Sequence, residues 1–289
     1  MNHKDNDYLY RFLFESFGVR GGFVRLGASW RAIREKHDYP APVARALGEA
    51  MAAAALLSTT IKFRGSLVMQ LLGEGVMRSL VAQVTDRRTL RGVARFDDAA
   101  DASTPLIEGA RLVLTAESPS GERYQGIVPV EAHGVAEALA RYFEQSEQLP
   151  TRLWLAADEE VAAGLFLQRM PGDGDDDTEN WQRVVMLADT LGDEELLSLD
   201  VETLLHRLFH EETVRLFDPE PVSFRCDCSR ERVGEMLKTL GEGELAQILD
   251  EMGEVEVACE FCGQAYRFDS VDVARLFQPG ASEAPGGVH

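Results

Sequence analysis

The chain has 289 residues, an ordinary apolar content of 45% and a formal net charge of −20. That length is enough for two domains and a full core. The charge argues against a protein whose main task is gripping a phosphate backbone, and it favours solubility. The opening residues, Met1-Asn2-His3-Lys4-Asp5-Asn6-Asp7, lack the apolar core of a signal peptide. No run approaches the roughly 20 apolar residues of a membrane span. The expectation is a cytoplasmic chain with no membrane partner, in a compartment where thiols stay reduced.

From Asp5 to about Met170 the pattern is α+β. Gly21 to Leu26 reads as a short strand after a glycine turn. Ser29 is a candidate cap for a helix through Arg34 and Lys36, which Pro40 ends. Pro42 suits the first turn of a second helix, Val43 to Thr60. Its apolar run from Ala50 to Leu57 predicts a buried helix, and its alanines and Gly48 predict close packing. Strands follow over Ser66–Leu72, Val76–Thr85 and Thr89–Phe96, with a hairpin at Gly73-Glu74-Gly75. Asp97 to Asp101 is a polar loop that Pro105 continues. Arg111–Glu117 and Arg123–Val130 flank a second hairpin at Ser118-Pro119-Ser120-Gly121. Gly134 to Glu147 is helical, and Arg152–Ala157 and Ala163–Arg169 are further strands. Successive hairpins imply a largely antiparallel sheet with helices packed on it.

No catalytic constellation stands out in this region. Gly73 and Gly75 are turn glycines, because no G-x-x-x-x-G-K-[ST] accompanies them. His37 and His133 are isolated, and Ser58 and Ser66 lie in no G-x-S-x-G elbow. The chain is expected not to be an enzyme.

Pro171 to Asp177 is a solvated boundary rich in glycine and aspartate, and the EF-hand pattern fails there. From Glu179 to Phe217 the pattern is helical, with Trp181, Val184, Val185, Ala188 and Leu191 on one stripe. Asp193 and Asp200 are candidate caps for two more short helices. The segment is apolar on one side and acidic on the other, so it must dock on a neighbour to persist. His206 and His210 sit four apart, but Arg207 stands where an H-E-x-x-H motif needs glutamate. Beyond the linker, Arg230–Leu240 and Glu244–Met252 read as helices, Glu254–Ala258 and Ala265–Phe268 as strands. Asp269 is a candidate cap for a last helix, Val271–Phe277, before a disordered tail from Pro279.

All four cysteines lie in this C-terminal part: Cys226-Asp227-Cys228, then 30 residues, then Cys259-Glu260-Phe261-Cys262. Two tight thiol pairs and no other cysteine point to a tetrathiolate zinc site with ligands Cys226, Cys228, Cys259 and Cys262. Gly263 suits a knuckle that needs a positive φ. Two structural disulfides, or four unrelated buried cysteines, are the rival readings. Each pair is also close enough in sequence to oxidise within itself, so the site can be read as zinc-masked prospective disulfides.

These residues resemble the heat shock protein 33 family of redox-regulated holdase chaperones. The resemblance is carried by Cys226-Asp227-Cys228-Ser229-Arg230-Glu231-Arg232, Cys259-Glu260-Phe261-Cys262 and Tyr266-Arg267-Phe268-Asp269. Tyr142 to Thr151 and Leu204 to Phe209 extend it, nearly end to end. It implies a client-binding and dimerisation core over 1–172, a metastable helical linker over 173–222 and a small zinc-binding switch module with its tail over 223–289. It further implies one zinc ion in the reduced, inactive form. Oxidation would join Cys226 to Cys228 and Cys259 to Cys262, release the zinc and unfold the linker. The protein, then a homodimer, would hold unfolding client proteins without ATP.

Two readings from other classes stand beside this one. A zinc-ribbon nucleic-acid binder is disfavoured because acids outnumber bases around the cysteines. A thiol–disulfide oxidoreductase could use Cys259 and Cys262, but their C-x-x-C does not open a helix after a strand. A zinc hydrolase needs an open coordination position, which four thiolates do not leave.

Overall fold

The computed structural model describes residues 7–61, 63–98, 106–118, 120–130, 134–171 and 176–278. Met1 to Asn6, the stretch 99–105, His133, residues 172–175 of the acidic boundary and the tail from Pro279 lie outside the described residues. Two compact units are present, Met1–Arg225 and Cys226–His289.

The first unit is built around two sheets, A and B, and one helix. Sheet A contains β1 (Tyr8–Phe14), β2 (Val19–Leu26), β8 (Thr151–Ala157) and β9 (Ala162–Arg169), all antiparallel. Sheet B contains β3 (Ser66–Leu72), β4 (Met77–Thr85), β5 (Thr89–Phe96), β6 (Ala110–Glu117) and β7 (Arg123–Val130), with both expected hairpins in place. The central helix α2 (Ala41–Leu57) packs on strands of both sheets. Its segment Ala50–Leu57 is no more than 1% exposed, as expected of a helix apolar all round. A Cβ on Gly48 would meet Ala157 Cβ at 2.5 Å and Trp30 Cζ2 at 3.2 Å, so only glycine allows this approach. Helix α3 (Val135–Ser146) packs on β7 and β8 through a face that includes Leu139, Tyr142 and Phe143.

Two elements depart from the sequence reading. Ser29 does not cap α1 (Ala28–Arg34); it lies inside the helix and is buried. The carboxylate of Asp7 instead accepts from Gly27 N at 2.6 Å and Ser29 N at 2.7 Å, a cap supplied from the start of β1. Strand β1 itself was not expected. Its alternation of aromatic and aliphatic residues is a strand signal, and its faces divide cleanly. Leu9 joins the core around α2, while Phe12 and Phe14 point into a second core.

That second core holds the linker. Helices α4 (Asp176–Ala188), α5 (Asp193–Ser198) and α6 (Val201–Phe209) set Val184, Ala188, Leu196, Leu204, Leu205, Leu208 and Phe209 against Phe12, Phe14, Phe23, Leu165 and Leu167 of sheet A. Asp200 caps α6 as expected, accepting from Thr203 N at 2.9 Å. Asp193 is the first residue of α5 rather than its cap; Gly192 holds that position, and its N–H donates to Glu195 Oε2 at 3.2 Å. Basic side chains of the core meet the acidic segment. Arg25 Nη1 donates to the carbonyls of Ser198 and Leu199 at 3.1 and 3.2 Å, and Arg45 pairs with Asp193 at 3.1 Å.

The helical pattern expected up to Phe217 stops earlier. Residues after α6 form three short strands: β10 (Val214–Leu216) and β11 (Glu220–Pro221) on β1, and β12 (Ser223–Phe224) parallel to β5. This strap therefore crosses from sheet A to sheet B. Glu220 anchors it, with Arg11 Nε at 2.7 Å and Arg88 Nη2 at 3.0 Å. Arg88, at φ 61, also donates to the Ser58 carbonyl past the end of α2. Arg225 N donates to Leu90 O at 2.9 Å, one residue before the first cysteine.

The second unit has a small core: Val233, Leu237, Leu245, Val255, Phe268 and Val273. It comprises α7 (Arg230–Lys238), α8 (Glu242–Met252), the hairpin β13 (Val255–Ala258) with β14 (Ala265–Phe268), and α9 (Ser270–Leu276). Asp269 caps α9 as expected, through the backbone N–H groups of Val271 and Asp272.

Burial pushes the Glu49 carboxyl on α2 up to about 7 from 4.5, against the pull of Arg45 and with a further push from Asp193. The folded protein then holds a proton that the unfolded chain releases. The contribution is complete below about pH 4.5 and is lost as pH rises through about 7, about 3 kcal/mol in all. The stability difference between the native chain and Glu49→Gln should change by that amount across this window, read by urea unfolding at a series of pH values.

Candidate metal centre

The first two cysteines sit in the turn that enters α7. Ser229 caps that helix, accepting from Arg232 N at 3.3 Å. Arg232 reaches back to donate to the Asp227 carbonyl at 2.7 Å, which pins the residue between Cys226 and Cys228. The other two cysteines sit in the turn joining β13 to β14. There Cys259 O accepts from Gly263 N at 2.7 Å and Cys262 N at 3.3 Å, and Cys259 N donates to Gln264 O at 2.9 Å. Gly263 has φ 72, the left-handed value its place in the turn called for. Both turns thus point two sulfurs inward from a closed backbone.

All four sequence-predicted residues come together. Their sulfurs lie within 4.8 Å of one another, and each side chain is half-buried. The short separations run across the pairs: Cys226 Sγ to Cys259 Sγ is 3.6 Å, and Cys228 Sγ to Cys262 Sγ is 3.3 Å. Four sulfurs each about 2.3 Å from a central ion form a tetrahedron with edges of about 3.8 Å, so this donor set fits one thiophilic cation. All four cysteines are free thiols, not structural disulfides, and not scattered through a core.

Without a cation, Cys226, Cys228 and Cys262 shift in different directions. Burial raises Cys228, but the Tyr266 hydroxyl and the other three thiols outweigh it and bring Cys228 down to about 7. Burial and the neighbouring sulfurs push Cys262 up to about 12, and burial also raises Cys226. The sense is electrostatic. One thiolate is stabilised by donated S–H groups; further thiolates at this spacing repel it unless a cation neutralises them.

Among the described residues this is the one group of three or more potential metal ligands. His206 on α6 and His210 at its C-cap lie near each other, ring centroids 6.0 Å apart, with no third ligand of that kind among the described residues. His37 packs against Tyr39. No helix among the described residues is long and apolar enough to cross a membrane. Tyr266, whose hydroxyl donates to Cys228 Sγ at 3.2 Å, is a site residue that spacing alone did not single out. Its signals in the sequence are its place four residues after Cys262, on the strand leaving the turn, and in the stretch Tyr266-Arg267-Phe268-Asp269.

Comparison with known proteins bears on the same residues. The family model described as Hsp33 protein matches residues 7–269. The chain is 53% identical to a 33 kDa chaperonin of Nitrosococcus oceani, over 96% of each chain. It is 48% identical to that of Ectopseudomonas mendocina, over 97% of this chain and 98% of the relative. The crystal structure of a 33 kDa chaperonin, a heat shock protein 33 homolog, from Thermotoga maritima superposes with a TM-score of 0.78. That match covers 93% of this chain and 97% of the other at 24% identity, and it supports the α+β fold with antiparallel sheets.

Cys262→Ala removes one corner of the tetrahedron. It should weaken zinc binding by more than the roughly 100-fold that loss of a supporting residue costs, measured by competition with a chromophoric chelator. Cobalt loaded into the native chain should show the charge-transfer bands of four thiolates, and bands of lower intensity in this variant.

Proposed function

Because this chain belongs to the Hsp33 protein family, we propose that it is a redox-regulated, ATP-independent holdase chaperone, inactive while reduced and zinc-bound. The observation that carries the reading is the pairing of a four-sulfur site with an apolar sheet face covered by a weak linker. Cys226, Cys228, Cys259 and Cys262 would hold one Zn²⁺, which supplies the positive charge and the tetrahedral template that four thiolates need. Structural zinc contributes roughly 10–16 kcal/mol of apparent binding free energy, comparable with the stability of a whole domain. In a unit this small, with six buried core residues and others such as Leu249 and Phe277 packed against them, a contribution of that size decides whether it folds.

Each pair of thiolates, Cys226 with Cys228 and Cys259 with Cys262, gives two electrons to an oxidant such as hypochlorite and forms one sulfur–sulfur bond. The oxidant leaves as chloride and hydroxide. A disulfide sulfur no longer carries the charge a cation needs, so oxidation strips the site of zinc and the C-terminal unit unfolds. The strap is its covalent neighbour, and the linker follows the strap. Helices of six and nine residues fall short of the about 12 needed to persist alone. Undocking uncovers Phe12, Phe14, Phe23, Leu165 and Leu167 on sheet A together with the linker's own Leu204, Leu208 and Phe209. Such a contiguous apolar surface suits unfolding client proteins. The active form is a homodimer in the cytoplasm, with no enzymatic turnover and no nucleic-acid or membrane partner. The net charge of −20 agrees with the absence of the latter two.

Oxidant added to the reduced protein should release zinc, consume four thiols and suppress aggregation of a thermally unfolding client in parallel. Zinc release without holdase activity would sink the proposal. Separately, Phe209→Ala removes a linker side chain that is 2% exposed. It should cost about 3–5 kcal/mol of docking, expose residues 176–222 to protease and produce holdase activity without oxidant.

A further inference from the structure

Tyr266 sits on β14, paired across the hairpin with Val257 of β13, and its ring packs against the small core of the second unit. Its hydroxyl reaches past the turn that precedes it. It donates to Cys228 Sγ, in the other cysteine turn, at 3.2 Å. The two turns are therefore tied together by a hydrogen bond that does not need the metal. A thiolate sulfur has lone pairs to spare beyond the one it gives a cation, so the phenol and the ion can be bound together. Groups that donate to a metal ligand orient it and tune its electron density.

We propose that Tyr266 is a positioning residue for the metal centre: its hydroxyl holds Cys228 Sγ at its corner of the tetrahedron and draws electron density from it, setting both metal affinity and the nucleophilicity of that sulfur. This rests on the reading of the four cysteines as a zinc site. Two consequences follow from one hydrogen bond. Orientation favours the loaded site, so removing the bond weakens zinc binding. Electron withdrawal and steric cover slow attack by the sulfur on an electrophile, so removing the bond speeds that attack at Cys228 in particular. Cys259 and Cys262 serve as internal references within the same molecule.

The test uses the full-length reduced protein loaded with zinc, in three forms: native, Tyr266→Phe, and a form with monofluorinated tyrosine at 266. Phenylalanine keeps the ring and deletes the donor. The fluorinated ring keeps the shape and donates more strongly. Zinc affinity is read by competition with a chromophoric chelator. Nucleophilicity is read by iodoacetamide, whose carbon bonds to the sulfur as iodide leaves, with each cysteine peptide quantified by mass spectrometry. Tyr266→Phe should weaken zinc binding roughly 10–100-fold and raise the alkylation of Cys228 relative to Cys259. The fluorinated form should lower that ratio, and the cadmium NMR signal of the cadmium-loaded protein should shift in opposite directions in the two forms. Zinc affinity within about twofold of native, with the Cys228 ratio unchanged, would overturn the assignment while leaving the metal site standing. A native chain that binds no zinc would overturn both. Should Tyr266→Phe lose its fold, the fluorinated form decides alone: an unchanged ratio rejects the role.

Discussion

Four sulfurs held within 4.8 Å of one another are the constraint from which the C-terminal unit takes its form. Two backbone turns, closed by Gly263 on one side and by the Ser229 cap and Arg232 on the other, exist to aim them inward. The same crowding makes the arrangement conditional. Thiolates at this distance repel, and only a cation turns that repulsion into a bond network. A core of Val233, Leu237, Leu245, Val255, Phe268 and Val273 cannot replace such a cation, because a domain this small buries too little apolar surface.

A second constraint acts on the first unit. Sheet A is apolar on both faces, and each face must be covered. On one side α2 does so, with alanines and Gly48 drawn tight against the strands. On the other side the cover is helices α4, α5 and α6. Their outer surfaces are acidic, and their ties to the core include exposed ion pairs such as Arg45–Asp193, which contribute little by themselves. What holds them is the fit of Leu204, Leu205, Leu208 and Phe209 on the sheet. The proposed switch releases the second cover.

The strap between linker and cysteines gives this difference a direction. Residues 214–224 join the free edges of β1 and β5, and Glu220 is gripped by arginines from both strands' surroundings. Its last backbone hydrogen bond, from Arg225, lies immediately before Cys226 in the chain. In the proposed switch, loss of order on the C-terminal side meets strands of only two residues first.

Much of this was legible in the sequence. The two close cysteine pairs, the hairpins, the buried character of Ala50–Leu57 and the caps at Asp200 and Asp269 each depend on residues a few positions apart, and such local patterns survive without knowledge of the fold. The strap did not declare itself, because a strand of two or three residues has no period to read, and its stability comes from a partner up to 213 residues away, as between Tyr8 and Pro221; β1, by contrast, carries a readable alternation over seven residues. For the same reason Ser29 looked like a cap while Asp7, 22 residues earlier, performs the role. Tyr266 could be quoted as part of a motif, but its bond to Cys228 arises only when two turns 38 residues apart are folded against each other. The sequence by itself determined which atoms can bind the metal, since that follows from side-chain chemistry and covalent spacing. Only the tertiary structure decided which surfaces are hidden and what hides them, since burial is a property of pairs of elements and is written in neither one alone.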